Sequence, residues 1–309
     1  MELTNFTVIK SLAMGKPPLR LAVAGGDDPA VIGAVLRALE GGLIASATIS
    51  GKPSEMRLHI PVDFQDQLTL LEAATAQECA SQAVAEVRED RADILMKGDV
   101  DTQSLLRAVV NRDTGIRGEG VLSNVTVAAL PSYGKLLVAT DNGIVPMPDL
   151  KQKRQIILNT RPMFDGLGIT PVKVAAIAAT EKVSEALPAT LEAQQLSAES
   201  RDGKLPGFIV DGPFGYDVAV LARAAEKKSL SKSPVAGRAD LILFPNIDAA
   251  NSVAKSWKLH GQADTGSIVL GARVPILLNS RSDGIDRRLN ALCLAIITSG
   301  QSSGNRVGR

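Results

Sequence analysis

Only 3% of the 309 residues are aromatic, with a single tryptophan and two tyrosines among them. A core without large rings must be assembled from Ala, Val, Ile and Leu, which suits buried parallel strands covered by helices. Cysteine is rarer still. Cys79 and Cys293 are the only two, both in helix-like segments, so no disulfide framework exists and they read as free core thiols of a reducing compartment. The two histidines, His59 and His260, have no Cys or carboxylate at ligand spacing, and no metal is expected. Charge of either sign is also lacking in excess: 34 Lys and Arg against 33 Asp and Glu leave +1. That argues against a nucleic-acid or anionic-membrane surface and requires any basic site to be local. No window approaches about eighteen uncharged apolar residues, and residues 1–16 carry no apolar stretch ending in a small-residue cleavage site. A soluble cytoplasmic protein is therefore expected.

What is present suffices for a large core: 45% of residues are apolar and 22% charged. The length suits two ordinary domains better than one. Short apolar runs alternate with amphipathic stretches, the pattern of an α/β fold. Strands are predicted at 19–24, 45–49, 92–96, 121–130, 135–139, 172–178, 208–210, 240–244, 267–270 and 274–278. Helices are predicted at 29–40 (Asp28 as N-cap, Pro29 in the first turn), 73–88, 102–111, 150–167 with a break or kink at Pro162, 189–199, 217–227, 249–259 and 286–299. Pro131-Ser132-Tyr133-Gly134 is short enough to join an antiparallel hairpin, unlike the helical crossovers elsewhere. Asp, Gly and two prolines interrupt the pattern at 141–149. With the last helix returning to the first domain, the expected division is 1–141 plus 281–309 against 142–280.

Several strand ends carry polar residues. Gly25-Gly26 before a helix could cradle a phosphate. The spacing is not G-x-G-x-x-G, however, and Asp27 and Asp28 would repel the anion, so a tight capped turn is expected rather than a dinucleotide site. Lys97-Gly98 would let an ammonium and a bare backbone approach a ligand, with Asp101 or Thr102 capping a helix that carries Arg107. A snorkelling lysine and a plain cap would look the same. Thr140-Asp141-Asn142-Gly143 closes another strand, where an aspartate is as readily a cap as a catalyst. Val210-Asp211-Gly212-Pro213, Ser233-Pro234-Val235-Ala236-Gly237 and Pro245–Asn251 flank further strands. They read either as ligand loops or as punctuation. No G-x-S-x-G elbow supports a Ser-His-Asp triad.

The most informative stretch is Val274-Pro275-Ile276-Leu277-Leu278-Asn279-Ser280-Arg281-Ser282-Asp283. An apolar strand empties into a hydroxyl, a fixed cation with five donors and a carboxylate, a set suited to holding a phosphate and moving a proton near it.

Taken in order, these segments resemble the phosphate acetyltransferase and phosphate butyryltransferase family. Leu95-Met96-Lys97-Gly98 with Val100-Asp101-Thr102 and Leu106-Arg107-Ala108-Val109 looks like its first signature. Pro148-Asp149-Leu150-Lys151-Gln152-Lys153 and Glu181-Lys182-Val183 with Leu187-Pro188-Ala189-Thr190 look like the butyryl branch, and Ser280-Arg281-Ser282-Asp283 closes the set. The resemblance spans about residues 19 to 299 and implies a fold similar to isocitrate and isopropylmalate dehydrogenases, two α/β domains around a cleft, usually as a homodimer. It implies reversible acyl transfer: acyl-CoA and orthophosphate give acyl phosphate and CoA, with CoA a substrate and no resident cofactor. Arg281 would bind phosphate or acyl phosphate, and Ser280 would stabilise the charge developing at the carbonyl. Asp283 in the ungapped pattern, or Asp286 with a one-residue gap, would be the base. Lys97, Thr102, Arg107, Asp141 and Asn251 would serve phosphate or substrate binding. Asn142, Ala250 and the 60–92 segment depart from family patterns, the last tilting toward the butyryl group. A decarboxylating dehydrogenase on the same scaffold would need metal-binding aspartates and a nicotinamide site, and a non-catalytic CoA- or acyl-phosphate-binding protein would have no need of Ser280 and Arg281.

Overall fold

A computed structural model describes residues 3–279 and 283–299. By contacts the chain forms two compact units, one of Phe6–Gly120 with the chain from Gly266 onward, the other of Val121–Thr265 with the residues before Phe6. The expected boundaries at 141/142 and 280/281 lie some way further along the chain than these. The hairpin 123–140 packs with the strands that follow it, and the strand after Thr265 packs with those before Gly120. Pairing, not the Pro/Gly-rich stretch at 141–149, decides where each unit ends.

The first unit begins with helix α1 (Phe6–Met14), followed by β1 (Leu19–Ala24), α2 (Pro29–Glu40), β2 (Ile44–Gly51), the one-turn α3 (Pro53–Met56), β3 (Leu68–Glu72), α4 (Ala76–Arg88), β4 (Ile94–Lys97) and α5 (Thr102–Val109). The expected strand at 19–24 and helix at 29–40 are both found, and Asp28 accepts from the Ala30 amide at 2.8 Å as the predicted cap. Helix α4 starts three residues later than expected because Thr75 and Glu78 form a reciprocal capping box. β1 pairs in parallel with β2 on one side and β4 on the other. Leu21 to Ala24 are buried almost completely, which a strand achieves only when both sheet faces are covered.

The second unit contains the antiparallel hairpin β5 (Ser123–Ala129) and β6 (Leu136–Thr140), then α6 (Leu150–Asn159), α7 (Arg161–Leu167), β7 (Val172–Ile177), α8 (Pro188–Arg201), β8 (Phe208–Phe214), α9 (Tyr216–Val220), α10 (Ala222–Lys227), β9 (Leu241–Leu243) and α11 (Ile247–Leu259). The break anticipated at Pro162 falls at Thr160, with the proline just inside α7, where its missing N–H costs nothing. Strand β8 runs four residues beyond the expected 208–210, so Asp211-Gly212-Pro213 belongs to the strand and not to a loop. The strands stand in the order β5-β6-β9-β7-β8, and all from β6 onward are parallel. A core of small aliphatic residues with Phe214, Phe244 and Trp257 fills this unit.

The chain then returns through β10 (Asp264–Leu270), β11 (Ile276–Leu277) and α12 (Ile285–Ser299). β11 lies parallel to β4 and antiparallel to β10, completing the first unit's order β3-β2-β1-β4-β11-β10. Helix α12 packs on β11 and β4 and against α1 and α2. Both cysteines are buried and unpaired, and burial pushes the Cys293 thiol up to about 11. Among the described residues, no helix is long and apolar enough to cross a membrane.

Candidate active site

In the first unit, β1, β2, β4 and β11 run parallel and release their polar tails at one sheet edge, the end where α/β folds bind ligands. The glycine pair after β1 serves the fold. Gly25 has φ +84°, the Gly25 and Gly26 amides donate to the Ser50 carbonyl, and Asp27 accepts from the Lys52 amide at 2.7 Å. This is the tight capped turn expected from the aspartates.

Gly98 has a comparable task. A Cβ there would lie 1.8 Å from the Gly25 carbonyl oxygen, so the glycine lets two strand-end loops meet rather than admitting a ligand. Lys97, the last residue of β4, is only 5% exposed and donates from Nζ to the Gly98 and Val100 carbonyls at 3.2 and 2.9 Å. Its ammonium is therefore held within the loop leading to α5. Asp101 caps that helix, accepting from the Ser104 amide at 2.8 Å and hydroxyl at 2.6 Å, and the Ser104 hydroxyl bond is the main cause holding its carboxyl below the usual range. Thr102 opens α5 and Arg107 stands near its end, both exposed. Five residues apart, they point about 140° away from each other around the helix, so they do not form one patch.

Ser280 and Arg281 lie outside the described residues. The two candidate bases differ sharply. Asp283 is 8% exposed and pairs with Arg287 one turn later at 3.4 Å. Asp286 has a side chain 90% exposed and, among the described residues, pairs with Arg37 of α2 at 3.6 Å.

The second unit presents a different edge. Asp141, just beyond β6, is buried, and its Oδ1 accepts from the amides of Asn124, Gly143 and Ile144 while Oδ2 accepts from Val145. Burial pushes this carboxyl up, against the pull of the amide bonds. Expected to touch substrate, Asp141 instead ties down its own loop. Asn142 accepts from Asn124 Nδ2 and donates to Thr126, while its carbonyl accepts from Asn251 Nδ2 at 3.0 Å. Asp141 and Asn251 are thus neighbours through Asn142. Asn124 and Thr126, which sequence reasoning missed, complete the network. Alternation along a buried strand gives no hint that its polar residues are paired.

Asp211 of the Val-Asp-Gly-Pro segment accepts from the hydroxyls of Ser233 at 2.6 Å and Ser197 at 3.2 Å. Ser233 in turn accepts from the Val235 and Ala236 amides. Two of the motif segments therefore lock to each other. Asn246 caps α11 by accepting from the Ala249 amide at 3.0 Å. Among the described residues, no group of three His, Cys, Asp or Glu side chains could hold a metal ion.

Residues 68–296 match the family described as phosphate acetyl/butaryl transferase. The chain is 37% identical to a probable phosphate butyryltransferase of Bacillus subtilis, over 90% of this chain and 93% of that protein. It is 33% identical to a phosphate acetyltransferase of Rhizobium meliloti, over 92% of this chain and 90% of that one. Among solved structures, a branched-chain phosphotransacylase from Enterococcus faecalis V583 aligns with a TM-score of 0.81 at 26% identity, covering 91% of this chain and 99% of that one. Neither a dehydrogenase nor a non-catalytic binding protein is favoured by these matches.

Proposed function

This chain belongs to the phosphate acetyl/butyryl transferase family and is an acyltransferase; we propose that it moves a short acyl group reversibly between CoA and orthophosphate. A phosphate oxygen attacks the thioester carbonyl carbon, and the carbonyl becomes an oxyanion. Collapse breaks the C–S bond, and the proton lost by phosphate passes to the departing thiolate, giving acyl phosphate and CoA. A cation and hydroxyl donors preorganised at the oxyanion are worth roughly 3–4 kcal/mol per donor in a site that excludes water. Alignment of two already reactive partners supplies much of the rest.

In this scheme Arg281 holds the phosphate and Ser280 donates to the oxyanion. Asp283 is the proton carrier: it is buried, whereas Asp286 is in water. Arg107 attracts the anion from α5, and Thr102 offers a hydroxyl from another face of that helix. Lys97 and Asp141 act at one remove, by fixing the loops after β4 and β6. Asn251 serves within the second unit's own polar edge, where it donates to the Asn142 carbonyl. No metal or nicotinamide takes part, since every step is proton and acyl transfer.

The observation that carries this assignment is the parallel register of β11 and β4, with Leu277 beside Met96. Asn279, the last described residue before Ser280 in the sequence, consequently leaves the sheet beside Gly98, at the edge where β4 ends on Lys97. The butyryl side of the family is supported by the Pro148–Lys153 and Glu181–Val183 segments. Two buried unpaired thiols suit a cytoplasmic setting, and family resemblance supports a working homodimer.

The test is release of free thiol from acetyl-, propionyl- and butyryl-CoA. Activity should require phosphate and neither added metal nor NAD, and Arg281→Ala should lower it by about a hundredfold or more. No release from any acyl-CoA would overturn the function; full activity in Arg281→Ala would overturn only that residue's role.

A further inference from the structure

Arg288 sits in the first turn of α12 and is 2% exposed, yet its Nε and Nη1 find no hydrogen-bond partner among the described residues. Its neighbour Arg287 is half-buried and paired with Asp283. A guanidinium shut away from water without a counter-charge is heavily penalised, and proteins keep such groups where something else supplies the charge.

The direction of the side chain indicates where that charge would sit. Helical side chains lean toward the N-terminus and cover the preceding turn. The Arg288 side chain therefore leans toward the start of α12, where the first amides of a helix have no acceptors within it. Gly284, just before the helix, is exposed, and a Cβ on it would meet no heavy atom within 4 Å, so an anion can reach the helix start from solvent. At the other side of the β11–α12 connection, the buried Oδ1 of Asn279 likewise has no partner among the described residues. An open helix start and a buried cation short of an anion one turn into it thus belong to one segment of the chain, and the strand before that segment ends on an orphaned acceptor.

We propose that Arg288 is a second phosphate-binding residue of the acyl-transfer site, taking the tetrahedral phosphate of orthophosphate or acyl phosphate at the start of α12. Hydrogen phosphate fits both kinds of unengaged group. Its oxygens accept from a guanidinium and helix amides, while its single O–H can donate to an amide oxygen such as that of Asn279. The proposal rests on the acyl-transfer reading for the identity of the anion, but not for the existence of the site.

Two readouts separate the possibilities: thermal melting with inorganic phosphate or with CoA, and initial rates with either substrate varied. Orthophosphate should raise the melting midpoint of the wild type, and Arg288→Met should lose most of that rise while keeping the rise caused by CoA. The KM for phosphate should increase about tenfold, the loss of one charge-assisted contact, with the KM for acyl-CoA within about twofold. Arg288→Lys should fall between the two, and it serves if the methionine variant does not fold. An undiminished phosphate response and KM in both variants would overturn the site, as would loss of the CoA response with the phosphate response intact. A wild type that releases no thiol yet shows a phosphate shift missing from Arg288→Met would overturn acyl transfer and leave the phosphate site standing.

Discussion

The two units end their parallel strands in polar residues, but they do not satisfy them to the same degree. At the second unit's edge, Asp141 and Asn142 are turned inward and engaged with the amides of Asn124, Gly143, Ile144 and Val145, with Thr126 and with Asn251. In the first unit Lys97 and Asp27 are held by strand-end loops in the same way, but Asn279 after β11 and Arg288 in the first turn of α12 are buried with polar atoms unengaged among the described residues. An edge that satisfies itself is scaffold, because a saturated carboxylate has little left to offer a ligand. Buried groups left unsatisfied carry a cost that a ligand can relieve. Chemistry is therefore assigned to the first unit's strand ends, and loop support to Asp141.

Three substitutions probe this contrast. The largest effect is expected from Asp283→Asn, which removes the proposed proton carrier with little change in shape. kcat should fall by about 10²- to 10⁴-fold, with the melting temperature close to wild type; retention of more than half the rate would remove Asp283 from the mechanism. Next is Asp141→Asn, in which an amide N–H₂ replaces one of the accepting oxygens facing buried amides. A stability loss of about 2–3 kcal/mol is expected in denaturant titrations, with turnover per folded molecule within about threefold. A stable variant with collapsed turnover would place Asp141 among the reacting groups and break the contrast. Smallest is Asp286→Asn, which cuts only an exposed pair with Arg37. Its effect on stability should stay within about 0.5 kcal/mol, and its rate close to wild type.

Much of the scaffold is legible in the sequence, and the omissions share a physical cause. β1 and α2 follow from an apolar run, Asp28 and Pro29, each a strong local signal. The segment from 52 to 72 gives no periodicity: it holds a one-turn helix, two 3-10 turns and β3, which is only partly buried along its length. Helix α1 is not announced by its sequence either, although Phe6, Ile9 and Ala13 form its buried stripe. In the candidate site, residue types at strand ends are readable, but their engagement is not. Asp141 and Asp283 look alike as letters, and only folding shows that one is ringed by backbone amides and the other paired with Arg287. Arg288 is invisible for the opposite reason. An arginine on an amphipathic helix reads as solvent-facing, and no local rule marks one that turns inward.

The central claim is that the acyl group ends on phosphate. Trapping the product with hydroxylamine while counting free thiol tests this directly, using butyryl-CoA and orthophosphate. Above the enzyme-free background that hydroxylamine draws from the thioester itself, one acyl hydroxamate should form for every thiol released, and both enzyme-dependent signals should vanish without phosphate. Thiol release without hydroxamate would mean transfer to water and would contradict the account.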